Sequence, residues 1–286
     1  MDASSEERMK KLVGRIENVP TLPTVMARIL AATQDPKTSA EDVNKIILGD
    51  QALTAKILKL VNSAFYGFPR KIGTVTEAVV ILGFATVRNL AITASVFQSF
   101  GSRKKGRFDR ESFWRHSVAV GTVSRILARR MNMPSQEDIF VAGLLHDLGK
   151  VVLDHHCHED FMKALDLAEE NEWPLYKAEE EIFGVSHAEV GRWLAERWNM
   201  PDFLVFTIAH HHNPADVPEG FPVVSLVHIG NTVARYRNIG SGGDTYTPPI
   251  KTEALQRLNF KKEYLNSVLE TLDDDLEKAL QLLSIF

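Results

Sequence analysis

A single cysteine, Cys157, stands among 286 residues, which excludes an intrachain disulfide and fits a reducing compartment. Nowhere does an apolar run reach the roughly 18 residues that a bilayer-spanning helix needs. The first residues, Met1-Asp2-Ala3-Ser4-Ser5-Glu6, are polar and lack the apolar stretch of a secretion signal, so the chain is expected in the cytoplasm and away from membranes. Surplus positive charge is missing as well. With 33 Lys and Arg against 37 Asp and Glu, the formal net charge is −4, and no concentrated positive field draws nucleic acid, which is not expected as a partner. There is no convincing period-2 strand, no internal repeat and no low-complexity segment.

What is present is a composition 44% apolar and 24% charged, enough for a sizeable core, in a chain long enough for about two domains. The apolar spacing is helical almost throughout, which predicts an all-α fold. A polar lead helix ends at Pro20 and Pro23, and Val25, Ile29 and Leu30 open a new helical face. Ser39 with Asp42 is a capping signal for a short helix. The next helix carries Leu53, Ile57, Leu60 and Val61 and stops at Asn62-Ser63, and two more are separated by Gly83. These short helices form an N-terminal helical subdomain over residues 1–106, ending in a basic linker from Gly101 to Gly106 that reads as a solvated loop. A second helical subdomain is expected over 107–240, with a helical extension over 241–286 packed as an appendage.

The second subdomain places polar groups on apolar stripes. His116 lies in line with Val120, Val123 and Leu127. Ser135 with Asp138 caps a helix that runs through Ile139 and Gly143 to His146, apolar on nearly every side. Ser186 with Glu189 caps a helix with His187, Val190, Leu194 and Trp198 on one face. His211 follows Leu204 and Ile208, His212 follows Val205 and Ile208, and Asn231 follows Val224 and Val227. An imidazole or carboxylate in such surroundings is costly unless it is hydrogen-bonded, paired or coordinated.

Helices crossing in a core can hold Zn, Mn or Fe with inward-facing imidazoles and carboxylates. His146 and Asp147 supply neighbouring ligands, and the second oxygen of Asp147 can bridge to a second cation. His116 completes one ion, while His187, His211 and His212 serve the other. Two such ions about 4 Å apart would polarise a phosphoryl oxygen and activate a water. Lys150, one turn beyond His146, would then steady phosphate charge; alternatively it lies at a helix C-terminus, paired with Asp147. His155-His156-Cys157-His158 lacks the paired spacings of a zinc site and reads as solvated. His210 and His228 fall near the constellation with no geometric reason to choose them.

The run Gly143-Leu144-Leu145-His146-Asp147-Leu148-Gly149-Lys150 resembles the signature of the HD superfamily of metal-dependent phosphohydrolases. Pro20-Thr21-Leu22-Pro23, Gly49-Asp50-Gln51-Ala52-Leu53-Thr54, Val61-Asn62-Ser63-Ala64 and Ala78-Val79-Val80-Ile81-Leu82-Gly83 are similar to the HDOD branch, the HD-related output domain of bacterial signalling proteins. So are Phe183 to His187, Trp198 to Pro201 and His211-His212-Asn213-Pro214, which extends the resemblance over about residues 15 to 235. It implies an all-α fold, a regulatory role and an often degenerate HD site. His116, His146 and Asp147 match the first three ligand positions of that site, and His187, His211 and His212 match the extra histidines of the related HD-GYP phosphodiesterases. Asn231 stands where HD hydrolases carry their closing Asp, so one anionic ligand is lost. No Gly-Tyr-Pro follows His212, which argues against a cyclic di-guanylate phosphodiesterase.

The expectation is therefore a bacterial signalling module with one or two divalent ions, working by binding signalling proteins or a phosphate-containing small molecule. Two alternatives stand beside it. One is an active metal-dependent phosphohydrolase with Asp147 and Lys150 as catalytic groups, and the other is an interaction protein whose histidines form a hydrogen-bonded core network.

Overall fold

The computed structural model describes residue 12 and residues 23–35, 37–100, 107–217 and 222–285. The expected lead helix and the linker Gly101–Gly106 lie outside the described residues, apart from Leu12, which is buried. Every element among the described residues is helical.

The first group is α1 (Thr24–Gln34), α2 (Ala40–Leu48), α3 (Gln51–Val61), α4 (Val75–Leu82) and α5 (Phe84–Phe100). Ser39 and Asp42 form the expected reciprocal cap of α2. Asn62 does more than end α3. Its side chain donates to the carbonyls of Leu58 and Ile72 and accepts from the Ile72 amide at 2.7 Å, pinning the 63–74 connection to the helix. The Gly83 break turns the chain between α4 and α5, and α5 is buried along most of its length because it carries this group onto the next. Phe97 meets Trp114 at 4.0 Å between ring centroids, Phe100 stacks on Trp198, and Asn89 donates to Asp138 at 2.5 Å.

The second group is α6 (Arg110–Arg130), α7 (Gln136–Leu145), α8 (Leu148–His156), α9 (His158–Glu170), α10 (Leu175–Phe183), α11 (His187–Arg197), α12 (Asp202–His210) and α13 (Pro222–Tyr236). After a loop come α14 (Thr252–Arg257) and α15 (Lys262–Leu280), and α15 lies along α6. The apolar stripes that carry His116, His187, His211 and Asn231 face inward, while Val205 and His212 are half-buried.

Two expected caps do not form. Ser135 sits in the left-handed region with no capping bond, and Asp138 is engaged by Arg88 and Asn89 from α5. Ser186 likewise makes no cap; Glu189 bonds Arg192 and Trp193, and the His187 amide donates instead to Glu179 of α10 at 2.7 Å. In both cases a tertiary partner outcompetes the local one. The His155–His158 run is mixed, with Cys157 buried and His158 paired to Asp154 at 2.7 Å.

Two helix crossings set the position of the site. α6 passes over α7 where Gly121 faces Gly143, and a Cβ on Gly143 would stand 2.6 Å from the Gly121 Cα. α8 passes over α11 where Gly149 faces Gly191, and a Cβ on Gly149 would overlap the His187 carbonyl oxygen. The glycines flanking His146-Asp147 thus let two pairs of backbones close together, bringing His116 to His146 and His187 to Asp147.

Candidate metal centre

His146 and Asp147 fall between α7 and α8, where Asp147 adopts φ −98° and ψ 17°. This is the sparsely populated bridge region, in which functional side chains are often found. Asp147 occupies the cap position of α8 but makes no capping bond, because its carboxylate turns into the core. Lys150 is therefore in the first turn of α8, not at a helix C-terminus. It is fully buried and donates to Asp147 Oδ2 at 2.8 Å and to the Gly242 carbonyl at 2.9 Å. A buried ammonium needs such partners.

Around Asp147 stand imidazoles from four other positions. His146 Nε2 is 3.2 Å from Oδ2, while His187 Nε2 and His211 Nε2 are 3.2 and 3.3 Å from Oδ1. His212 Nε2 lies 3.0 Å from His187 Nε2. The far nitrogens decide the tautomers. His146 Nδ1 donates to the Gly143 carbonyl at 2.7 Å, His211 Nδ1 to the Ile208 carbonyl at 3.0 Å, and His187 Nδ1 to the Glu179 carboxylate at 2.5 Å. Each acceptor demands a proton on Nδ1, so in a neutral ring Nε2 carries a bare lone pair. Lone pairs aimed at a carboxylate repel it unless a cation or a proton lies between. Consistent with that demand, His146 Nε2, His211 Nε2 and Asp147 Oδ1 are buried without a hydrogen-bond partner.

This donor set fits a divalent transition metal. Asp147, His187, His211 and His212 each offer a ligand atom, all within 4.8 Å of one another, and His116, His146 and Asp147 form a second such group, with Asp147 common to both. Tying Nδ1 to a carbonyl or carboxylate is what orients imidazoles in metal sites. Glu179 was not legible as part of the site, although it lies on the inward stripe Leu175, Ala178, Glu179, Phe183 of α10. That placement was the signal available.

Asn231 is held differently. Its Oδ1 accepts from Arg235 Nε at 3.2 Å, which fixes the amide orientation, and it lies 3.1 Å from His116 Nε2. As placed, His116 is the Nε2–H tautomer, and its Nδ1 is buried without a partner. His228 belongs to a different contact: its Nδ1 donates to the His211 carbonyl, and its Nε2 accepts from the Lys251 amide.

Burial lowers the pKa of His116 well below the ordinary imidazole value, with Arg235 adding to the effect. Burial also pushes His211 down to about 3 against the pull of Asp147, and lowers His212 well below normal, helped by His211. His187 goes the other way. Burial opposes its charge most strongly of any one cause, but the Glu179 and Asp147 carboxylates together raise it. Burial would raise Asp147, yet His146 and Lys150 beside it hold its carboxyl well below the usual range. The result is an ionised carboxylate among mostly neutral rings, the protonation states that ligation requires.

Residues 19–214 match the family model of the HDOD domain. The chain belongs to the HDOD family. The crystal structure of an HDOD domain protein of Geobacter sulfurreducens aligns over 98% of both chains with a TM-score of 0.80 and 27% identity. An uncharacterized protein of Treponema pallidum (strain Nichols) is 29% identical over 269 residues, 93% of this HDOD chain and 51% of that protein. Ribonuclease Y of Lactobacillus gasseri is 30% identical over 154 residues, 54% of this chain and 21% of that enzyme. The HDOD chain thus spans about half the length of the Treponema relative. Among the described residues, no helix is long and apolar enough to cross a membrane.

Proposed function

We propose that this HDOD protein is a signal-transduction module that holds one or two divalent transition metal ions, Fe, Mn or Zn, and acts by binding a ligand or a protein. The observation that carries the reading is the convergence of the unpartnered Nε2 atoms of His146 and His211 on the Asp147 carboxylate. His187, His211, His212 and Asp147 would hold one ion, and His116, His146 and Asp147 a second, weaker one. A bound divalent ion supplies Lewis acidity toward a phosphoryl oxygen. Two features favour binding over turnover. Asn231 contributes no anionic charge at the closing position, and the site residues are almost fully enclosed, His212 being half-buried.

The second reading is an active metal-dependent phosphohydrolase, with Asp147 between the two ligand groups and Lys150 steadying phosphate. It is favoured by the buried Lys150–Asp147 pair and by the likeness to part of ribonuclease Y. A phosphodiester assay with added Mn²⁺, run beside His146→Ala and Asp147→Ala, separates the two. The binding reading expects no turnover above the variants, whereas turnover lost in both variants establishes the enzyme.

A further inference from the structure

The 240–248 loop that leaves α13 is a strap across the mouth of the site. It is pinned to α6 by the Ser241 amide, which donates to the Ser112 carbonyl at 3.1 Å, and its Gly242 carbonyl accepts from Lys150 Nζ. Farther on, the strap's Asp244 takes up Arg235. Arg235 Nη1 donates to Asp244 Oδ1 at 2.6 Å and to the Tyr246 carbonyl at 2.9 Å, while Nε reaches Asn231. Both members of this ion pair are less than a tenth exposed. What remains of the mouth, between Tyr176 of α10 and Tyr246 of the strap, is a narrow cleft of about 10 Å³ that leads to His187 and His212.

Both cations of the site therefore bond the strap, Lys150 through a carbonyl beside its pairing with Asp147 and Arg235 through a carboxylate. Each partner is an oxygen acceptor of the kind a phosphate would present at the same two donors. A carboxylate tethered nine positions from its arginine acts at an effective concentration on the order of millimolar, so a free anion must bind the opened site more tightly than that to win. We infer that the strap is an internal competitor, with Asp244 occupying the anion position on Arg235, and that a phosphate-bearing ligand enters by displacing it. The inference rests on the proposed reading of the cluster as a ligand site, and it names the ligand class, a phosphate monoester or inorganic phosphate, together with the residue that selects it.

The strap can be weakened from two independent points. Asp244→Asn removes the competing charge while keeping the shape. Gly242→Ala places a methyl group inside contact distance of the Arg235 guanidinium, so that guanidinium and strap must separate and the Asp244 pair loosens. Inorganic phosphate is titrated calorimetrically into the full chain, and backbone hydrogen exchange over 240–247 is followed with and without phosphate. Both variants are expected to bind phosphate about tenfold more tightly than the wild type, the size of one charge-assisted hydrogen bond lost by the competitor. Phosphate should speed exchange of the wild-type strap, which a purely structural ion pair would not do. Arg235→Lys, which keeps the charge but not the fork, should abolish the gain when combined with Asp244→Asn. Equal phosphate affinity in the wild type and both variants, or a strap whose exchange phosphate does not change, overturns the inference. Metal content measured on the same samples reports separately on the proposed function, since metal-free protein would sink that reading and leave the strap result to be judged on its own.

Discussion

His211 Nε2 lies 3.3 Å from Asp147 Oδ1, and neither atom takes part in a hydrogen bond. The Ile208 carbonyl claims the proton of His211 on Nδ1, so the two facing atoms are both acceptors. An acceptor pair this close in a buried core is unfavourable, and the ring of His146 repeats it on the other oxygen of the same carboxylate. A cation held between these atoms would turn the repulsion into coordination.

Glu179 orients His187 through Nδ1. Replacing it with Gln keeps the volume and removes the charge. Glu179→Gln is expected to weaken metal affinity by about 10- to 100-fold while the fold is retained. Competition with a chromophoric chelator measures the affinity, and circular dichroism checks the fold.

Asn231→Asp adds a carboxylate beside His116 within reach of Arg235. Affinity for the ion in the His116, His146, Asp147 group should rise by about tenfold, with stoichiometry moving toward two ions per chain. Mn²⁺ binding followed by electron paramagnetic resonance reads both quantities, and an unchanged stoichiometry would show that the second group holds no ion.

Gly149→Ala should be severe. Its Cβ would overlap the His187 carbonyl oxygen and approach the Gly191 amide, so α8 and α11 would have to separate. A loss of at least about 3 kcal/mol in urea-induced unfolding is expected, with metal binding lost alongside.

The metal-free protein should lose stability in mild acid. His116, His211 and His212 resist protonation when folded because burial lowers their pKa, whereas the unfolded rings take up protons near pH 6.5. The unfolded state then binds more protons, and each ring costs up to about 1.4 kcal/mol per pH unit below that point. His187 has a raised pKa, so its contribution is present below pH 6.5 and fades as pH rises, offsetting one of the three. Urea melts of EDTA-treated protein should show lower stability at pH 5.5 than at pH 7.5, and a flat profile would contradict the buried neutral rings.

The sequence made the stripe-borne residues legible because a period of 3.6 places His116, His187, His211 and Asn231 in line with core positions wherever the helices pack. The same logic reached Asp147 through the dipeptide, but not its turn into the core, which follows from the break between α7 and α8. Ser135 and Ser186 carry the sequence pattern of caps but form none, because Asp138 and Glu189 bond elsewhere: Asp138 bonds α5, and Glu179 takes over capping at His187. Gly242 and Asp244 carried no periodic signal at all, and Arg235, four positions after Asn231 on α13, gave no sign of its partner in the loop. Their meeting depends on how the 240–248 loop folds back over α6 and α8, a tertiary path with no local rule to announce it.

The central claim is that the imidazoles and Asp147 share a cation. Elemental analysis of protein purified without an affinity tag, beside an Asp147→Ala variant shown to be folded, tests it most directly. One to two equivalents of Fe, Mn or Zn in the wild type and little in the variant is the predicted result. A folded wild type that carries no transition metal and takes none up on addition would contradict the account.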